Sequence, residues 1–350
     1  AVFSFSFDTF CGTTEKNVVG VMRTITIEKN DAGQRLDKFI AKRFNSMPKS
    51  LLYKYIRTKY IKLNGKKCLP DTILTPGDVI TLYIKEEFFT PARKAYDFLK
   101  APVKLNIVYE DQNILLLDKK PGLIVHPDRS YHFDSLVARL WHYLYDKGEY
   151  DPEKENSFSP ALVNRIDRNT GGLVIAAKNA EALRVLNQKM KQRQIKKFYL
   201  CLVHGKMVQN SGTLKGYAIK NEMQNKVYIT STPGTHTKEI CTRYRVLKEF
   251  ADASLLEIEL LTGRTHQIRA HLASIGHPLL GDRKYGKAEN KKSPYAFQAL
   301  YSYRLLFLFT GEQTALDYLS GKSFTVQNVP FMQSYKSGGL QTPGNPVINL

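Results

Sequence analysis

The stretch "VNRIDRNTGGLVIAAKN", Val163 to Asn179, decides how this chain is read. Behind its two glycines comes a continuous apolar run, Leu173 to Ala177, closed by Lys178 and Asn179. A run of this length between turn residues has the character of a buried strand. The segment that follows, "AEALRVLNQKMKQRQ", spaces Leu183, Val185, Leu186 and Met190 as the inward face of a helix. The front of the stretch sets one carboxylate, Asp167, between Arg165 and Arg168. Those residues alone suit an ion-paired turn as well as a reactive acid, so the surrounding sequence has to decide.

Outward from this point, strand patterns dominate. "LNIVYEDQNILLLDKKPGLIVHP" gives two runs separated by Glu110-Asp111-Gln112-Asn113, which is turn chemistry. "KFYLCLVHG", "KEICTRYRVLKEF" and "ASLLEIELLTG" add three more. Many strands, few long helices and several hairpin signals predict an α+β fold over residues 105–335, with a mixed, largely antiparallel β-sheet and flanking helices. There is no internal repeat and no low-complexity tract. No apolar run reaches the eighteen or so residues that a spanning helix needs.

A different unit precedes it, at residues 22–86. "RTITIE" alternates like a strand. "GQRLDKFIAKRF" has helical spacing at Leu36, Phe39, Ile40 and Phe44. "SLLYKYIRTKYIKLNG" predicts a second short helix, with Ser50 as a possible N-cap, then a strand ending at the hairpin turn Asn64-Gly65. "TPGDVITLYI" supplies a Pro-Gly turn and another strand. Residues 87–104 mix aromatics, charges and prolines and read as a linker. Residues 1–21 have no positively charged start and hold Asp8 within a short apolar run, so they make a poor signal peptide. They are expected to be an upstream extension outside the fold, and residues 336–350 a disordered tail.

Charge points toward a polyanion. The 350 residues hold 52 Lys or Arg against 32 Asp or Glu, a formal charge of +20. Between Arg23 and Lys85 there are fourteen basic and five acidic residues, so +9 falls within 63 positions. Such a local concentration is the electrostatic footprint of nucleic-acid binding. The cysteines, Cys11, Cys68, Cys201 and Cys241, are far apart and form no CxxC pair, which argues against a zinc ribbon or a disulfide framework. A reducing cytoplasm is the simplest compartment.

Several chemistries lack their motifs: the P-loop, the glycine-rich dinucleotide turn and HExxH are all missing. His266 and His271 stand five apart, not the four of a paired ligand face. No metal and no cofactor is expected. What remains is basic and polar clusters around one acid. "NRIDRNTGG" carries Asp167, "KKFYLCLVHGK" carries Tyr199, and "LLTGRTHQIRAHLASIGHPLLGDRKYG" crowds Arg264, His266 and Arg269 after a glycine turn. Two arginines at a helix start form an anion site or partner a buried acid. Lys178 and the pair Lys119-Lys120 read as solvated or phosphate-facing.

Residues 22–86 resemble the S4 RNA-binding domain through "RLDKFIAKRF", "SLLYKYIRTKYIKLNGKK" and "TPGDVI". On the second helix Lys49, Lys54, Arg57 and Lys59 alternate with apolar residues, leaving one face for phosphates. The three clusters together resemble the RluA family of RNA pseudouridine synthases. "NRIDRNTGGLVIAAKN" is similar to that family's HRLDRxTSGL segment, and "TGRTHQIRAHLASIGHPLLGDRKYG" to its last long motif. Asn164 and Gly171 depart from the usual His and Ser.

The resemblance implies roles. Asp167 aligns with the catalytic aspartate, Tyr199 with the tyrosine against the target base, and Arg269 with the arginine paired to the acid. Ile268 aligns with an apolar pocket residue, and Arg165 with an arginine that helps open the RNA around the flipped uridine. Arg264 and His266, with Lys54, Arg57 and Lys59 of the small domain, complete the expected substrate-binding set. The implied protein is a cofactor-free, cytoplasmic, monomeric isomerase. Its implied substrate is structured RNA, large-subunit ribosomal RNA first and transfer RNA second. The rival is a non-catalytic RNA-binding or ribosome-assembly factor that retains the fold.

Overall fold

A computed structural model describes residues 21–89, 96–127, 133–291 and 293–334. The chain divides into two compact units, Ala1–Lys94 and Ala95–Leu350. In the first, β1 (Val21–Thr26), α1 (Leu36–Arg43), α2 (Lys49–Arg57), β2 (Ile61–Leu63), β3 (Lys66–Lys67) and β4 (Val79–Ile84) follow in order. The strands form an antiparallel sheet in the order β1-β4-β2-β3. Leu36, Phe39, Ile40 and Phe44 are buried against Leu52, Ile56, Ile80 and Leu82, as the helical spacing predicts. Asn64 (φ 51°) and Gly65 (φ 74°) are both left-handed, the pair of conformations a tight hairpin demands.

Details of this unit depart from expectation. β1 begins at Val21, opposite Ile84, one residue before the expected start of the fold. The rest of the supposed extension, residues 1–20, lies outside the described residues. Ser50 does not cap α2: the helix starts at Lys49 behind Pro48, without a side-chain cap, because Pro48 already sets the entry angle. Lys59 is not on α2 either; it sits past its end in a left-handed conformation, φ 64°.

The second unit contains β5 (Ile107–Glu110), β6 (Ile114–Lys119), α3 (Leu136–Asp146), β7 (Ala161–Leu162), β8 (Gly171–Ala177) and α4 (Ala180–Lys191). It continues with β9 (Ile195–His204), β10 (Ser211–Asn221), β11 (Lys226–Thr230), β12 (Lys238–Glu249), β13 (Ala253–Leu260), α5 (Gln267–Ser274), β14 (Leu300–Phe307) and β15 (Ser323–Thr325). Among the described residues these make one sheet ordered β11-β10-β12-β13-β9-β14-β8-β6-β5, with β15 beside β14 and β7 beside β8. The fold is mixed α+β. Every pairing is antiparallel except β14 with β8.

β8 is buried along its whole length. Its residues alternate between two cores. Leu173, Ile175 and Ala177 face Ala182 and Leu186 of α4. Val174 and Ala176 share a core with Leu140 and Leu144 of α3 and with Ile268 and Leu272 of α5. Asn179 caps α4 by accepting the Ala182 N–H at 2.8 Å. β8 is therefore covered on both faces, and the segment before it emerges between them.

The two glycines that open β8 have different reasons. Gly172 has φ 111°, and a Cβ there would overlap the Ser302 backbone of β14. Gly172→Ala should therefore cost about 3 kcal/mol or more through clash and strain. A urea unfolding midpoint unchanged in that variant would refute the close approach. At Gly171 a Cβ would run into the Tyr301 ring, whose hydroxyl donates to Asp118 at 2.7 Å. That ring fills the space a larger residue would need.

Part of the expected linker is packed structure. Phe98 and Ala101 are buried with Ala138 of α3, and the Phe98 ring meets Trp141 edge-on at 6.2 Å. Of the aromatics that gave the segment its irregular look, Tyr96 and Phe98 belong to this small core, while Phe88 and Phe89 pack against the core of the first unit. Residues 90–95, Tyr335 and the tail at 336–350 lie outside the described residues. Among the described residues, no helix is long and apolar enough to cross a membrane.

Candidate active site

Asp167 stands in the loop from β7 to β8, and three anchors fix that loop. The Asn164 amide accepts from Ile175 N–H at 2.8 Å and donates to Leu173 C=O at 3.3 Å, replacing a strand partner of β8. Thr170 N–H closes a turn on Asp167 C=O at 3.0 Å. Lys119, only 1% exposed, donates to the carbonyls of Arg168 (2.9 Å), Leu123 (2.7 Å) and Lys120 (3.1 Å). It is thus an internal tie and not a solvated or phosphate-facing cation. Lys178 is likewise engaged, with Glu110 at 3.1 Å and with Glu149.

α5 brings the cation. His266 precedes it with φ 52°, a left-handed conformation uncommon outside glycine, and turns the chain so that the helix enters the cleft. Arg269, in the first turn, donates from Nη1 to Asp167 Oδ2 at 2.9 Å. Its Nε and Nη2 grip Asp282 at 2.7 and 3.0 Å, a two-pronged contact. Burial falls off along the triad: the side chain of Asp282 is 1% exposed, Arg269 9% and Asp167 26%. Burial alone pushes the Asp282 carboxyl up, but the Arg269 guanidinium outweighs it and holds it below its usual range. Burial likewise acts to lower the Arg269 pKa, and the carboxylates, Asp282 foremost, more than reverse this.

A second contact reaches the same oxygen. His266 Nε2 lies 3.8 Å from Asp167 Oδ2. Its Nδ1 is 2.9 Å from the Tyr285 hydroxyl, which accepts the Val227 N–H at 2.8 Å. The Tyr285 proton is then free for Nδ1, leaving the imidazole proton on Nε2 toward the acid. Burial pulls the His266 pKa down, opposed by Asp167, so the ring is neutral near pH 7. Among the described residues, both contacts fall on Oδ2, and Oδ1 has no protein partner.

Asp167, His266, Arg269 and Asp282 line one cleft of about 1450 Å³. Tyr199 of β9 is 5% exposed, and burial pushes its hydroxyl up to about 12, so it stays a neutral phenol. Ile268 lines the wall at 4% exposure, and the exposed Arg165 and Arg264 lie at the cleft surface. The cleft thus gathers Asp167, Arg269, Tyr199, Arg165, Ile268, Arg264 and His266. Lys54, Arg57 and Lys59 are exposed on the first unit. Among the described residues no His, Cys, Asp and Glu cluster of three could hold a metal ion.

Sequence reasoning missed Asp282, Tyr285 and Lys197. Asp282 and Tyr285 sit inside the quoted "LLGDRKYG", and the signal was a lone acid and an aromatic beside an arginine that needed partners. Lys197 left only one trace, as the second of two adjacent lysines two residues before Tyr199, at the head of an apolar run.

The RNA pseudouridylate synthase family model matches residues 113–274, and the S4 domain model residues 34–80. An uncharacterised RNA pseudouridine synthase of Aquifex aeolicus is 33% identical over 256 residues, 72% of this chain and 77% of its own. The ribosomal large subunit pseudouridine synthase C of Vibrio cholerae is 33% identical over 268 residues, 75% and 80% of the two chains. An uncharacterised RNA pseudouridine synthase of Mycoplasma genitalium is 33% identical over 316 residues, 88% of this chain and 96% of its own.

Proposed function

The chain belongs to the RNA pseudouridine synthases, and from that premise we propose that Asp167 is the nucleophile that isomerises a uridine of large-subunit ribosomal RNA. Transfer RNA is the second choice of substrate. The observation that carries this reading is the buried bridge from Asp282 through Arg269 to Asp167. It aims one carboxylate into a cleft and leaves its Oδ1 for a reactant.

The chemistry balances without a cofactor. Asp167 attacks C1′ of the target uridine, and the N1–C1′ bond breaks with its electron pair going to the uracil. The freed ring rotates; C5 then bonds to C1′ and expels the carboxylate. The C5 proton leaves to solvent and N1 gains one. A carboxylate is a competent nucleophile for this when it is held in place. The target base has to leave its stack, at a cost of about a few kcal/mol. Tyr199 offers a neutral, buried ring to the flipped base, and the exposed Arg165 the group that occupies the gap. Arg264 and His266 line the approach. The chain acts in the cytoplasm as a monomer in this reading.

The test is to map pseudouridine in ribosomal and transfer RNA from cells with and without the gene. A site lost on deletion and restored by the purified protein supports the reading. Identical maps overturn it.

The first unit supplies grip in this scheme. Lys54 and Arg57 are exposed on α2, opposite buried Leu52 and Ile56. Replacing both by Gln should weaken RNA binding and lower the slope of log K against log salt by about two. Turnover at saturating RNA should be unchanged. A salt titration that gives the wild-type slope would remove these residues from the interface.

A further inference from the structure

Lys197 is a cation that the proposed reaction does not use. It sits on β9 two residues before Tyr199, and side chains two apart on a strand share a face. Both line the cleft. The Lys197 ammonium lies 3.7 Å from the Met190 thioether, and a Cβ built on Gly263 would lie 3.6 Å from it. Among the described residues, no carboxylate pairs with it. Its neighbours do have such partners: Lys196 is 3.7 Å from Glu259, and Arg304 2.9 Å from Glu257. Burial lowers the Lys197 pKa, and no acid opposes the effect.

A desolvated ammonium without a counter-ion is costly, and an apolar residue of the same length would fit this place at less cost. The cleft cations Arg165 and Arg264 are exposed, so their charge is largely screened by water. Lys197 is partly buried, so an anion reaching it gains a stronger, position-specific contact. RNA brings one kind of anion, the backbone phosphate, and such contacts fix register without reading sequence. We propose that Lys197 binds a backbone phosphate beside the target nucleotide, completing an ion pair that the free protein leaves open. The proposal rests on the cleft being the RNA-modifying site.

The experiment pairs Lys197→Met and Lys197→Arg with substrate RNAs in which one phosphate flanking the target is a neutral methylphosphonate. Lys197→Met should raise KM about tenfold and lower the salt slope of binding by about one. Its thermal midpoint should be unchanged or higher, because an unpaired charge has left the interior. Lys197→Arg should keep the wild-type slope. One methylphosphonate should weaken the wild type and leave Lys197→Met unaffected, which identifies the contacted phosphate. The proposal is overturned if the slope does not change, if every methylphosphonate weakens both proteins equally, or if Lys197→Met melts well below wild type. Should the wild type release no tritium from any 5-tritiated uridine RNA, the reading of the cleft fails. The binding titrations on that RNA still decide Lys197.

Discussion

Asp167→Asn should fold, bind RNA close to normally and lose pseudouridine formation by a factor of roughly 10⁴ or more. Asn keeps the shape of the side chain and can still accept the Arg269 Nη1 bond, so the loop held by Asn164 and Lys119 has no reason to move. What it lacks is the negative charge that the proposed reaction requires at C1′. Asp167→Glu should also fail, by about a hundredfold, because one methylene shifts the oxygen by about an ångström. The measurement is single-turnover tritium release from 5-tritiated uridine in RNA, beside a binding titration with the same RNA. Wild-type release by the Asn variant would reduce the segment to an ion-paired turn.

Arg269→Met should be damaging in two separable ways. It leaves Asp282, 1% exposed, without its cation, which should cost about 3–5 kcal/mol of stability. It also leaves Asp167 unaimed. Adding Asp282→Asn should recover much of the stability and none of the activity, since the two losses have different owners. The pH profile distinguishes them further. With its pKa held below the ordinary 3.8, Asp282 stabilises the wild type above that value and ceases to as pH falls through the lower one. In Arg269→Met only the Lys284 and Tyr285 N–H groups still oppose burial, so the Asp282 pKa rises above its wild-type value and that variant should gain stability relative to wild type on acidification. Arg269→Lys should keep part of the activity, about a tenth to a hundredth, because one ammonium cannot reproduce the two-pronged grip while still reaching Asp167. Parallel pH dependence of the two melting curves would show that Asp282 does not depend on Arg269.

Much of this architecture is legible in the chain because period and turn chemistry are local. The run Leu173–Ala177 lies in a strand with two covered faces, as its unbroken apolar character implies. Asn64-Gly65 is the hairpin turn its residue types announce. Asp167 and Arg269 were legible as a pair through motif resemblance and not through any local rule, since 102 positions separate them. Asp282 was not, because a carboxylate's partner is set by tertiary packing and leaves no periodic mark. Lys119 was misjudged for a related reason: three carbonyl oxygens satisfy its ammonium inside the protein, and nothing in "LLDKKPG" announces them. The segment with Phe98 looked like a linker because aromatics mixed with charges lack a period, although they pack into a small core.

The place of β14 in the sheet has a consequence for biogenesis. This strand is wedged between β9 and β8, yet it begins 96 positions after the end of β9 and 123 after the end of β8. Until Phe307 has been synthesised, the block β5–β8 and the block β9–β13 have no strand to join them, and each presents a raw edge. Loop closure over such distances is slow and leaves incomplete sheets open to association. The acid and its arginine lie on opposite sides of that seam. On the proposed assignment, the strand that seals the sheet is also the one that secures Asp167 and Arg269 against each other.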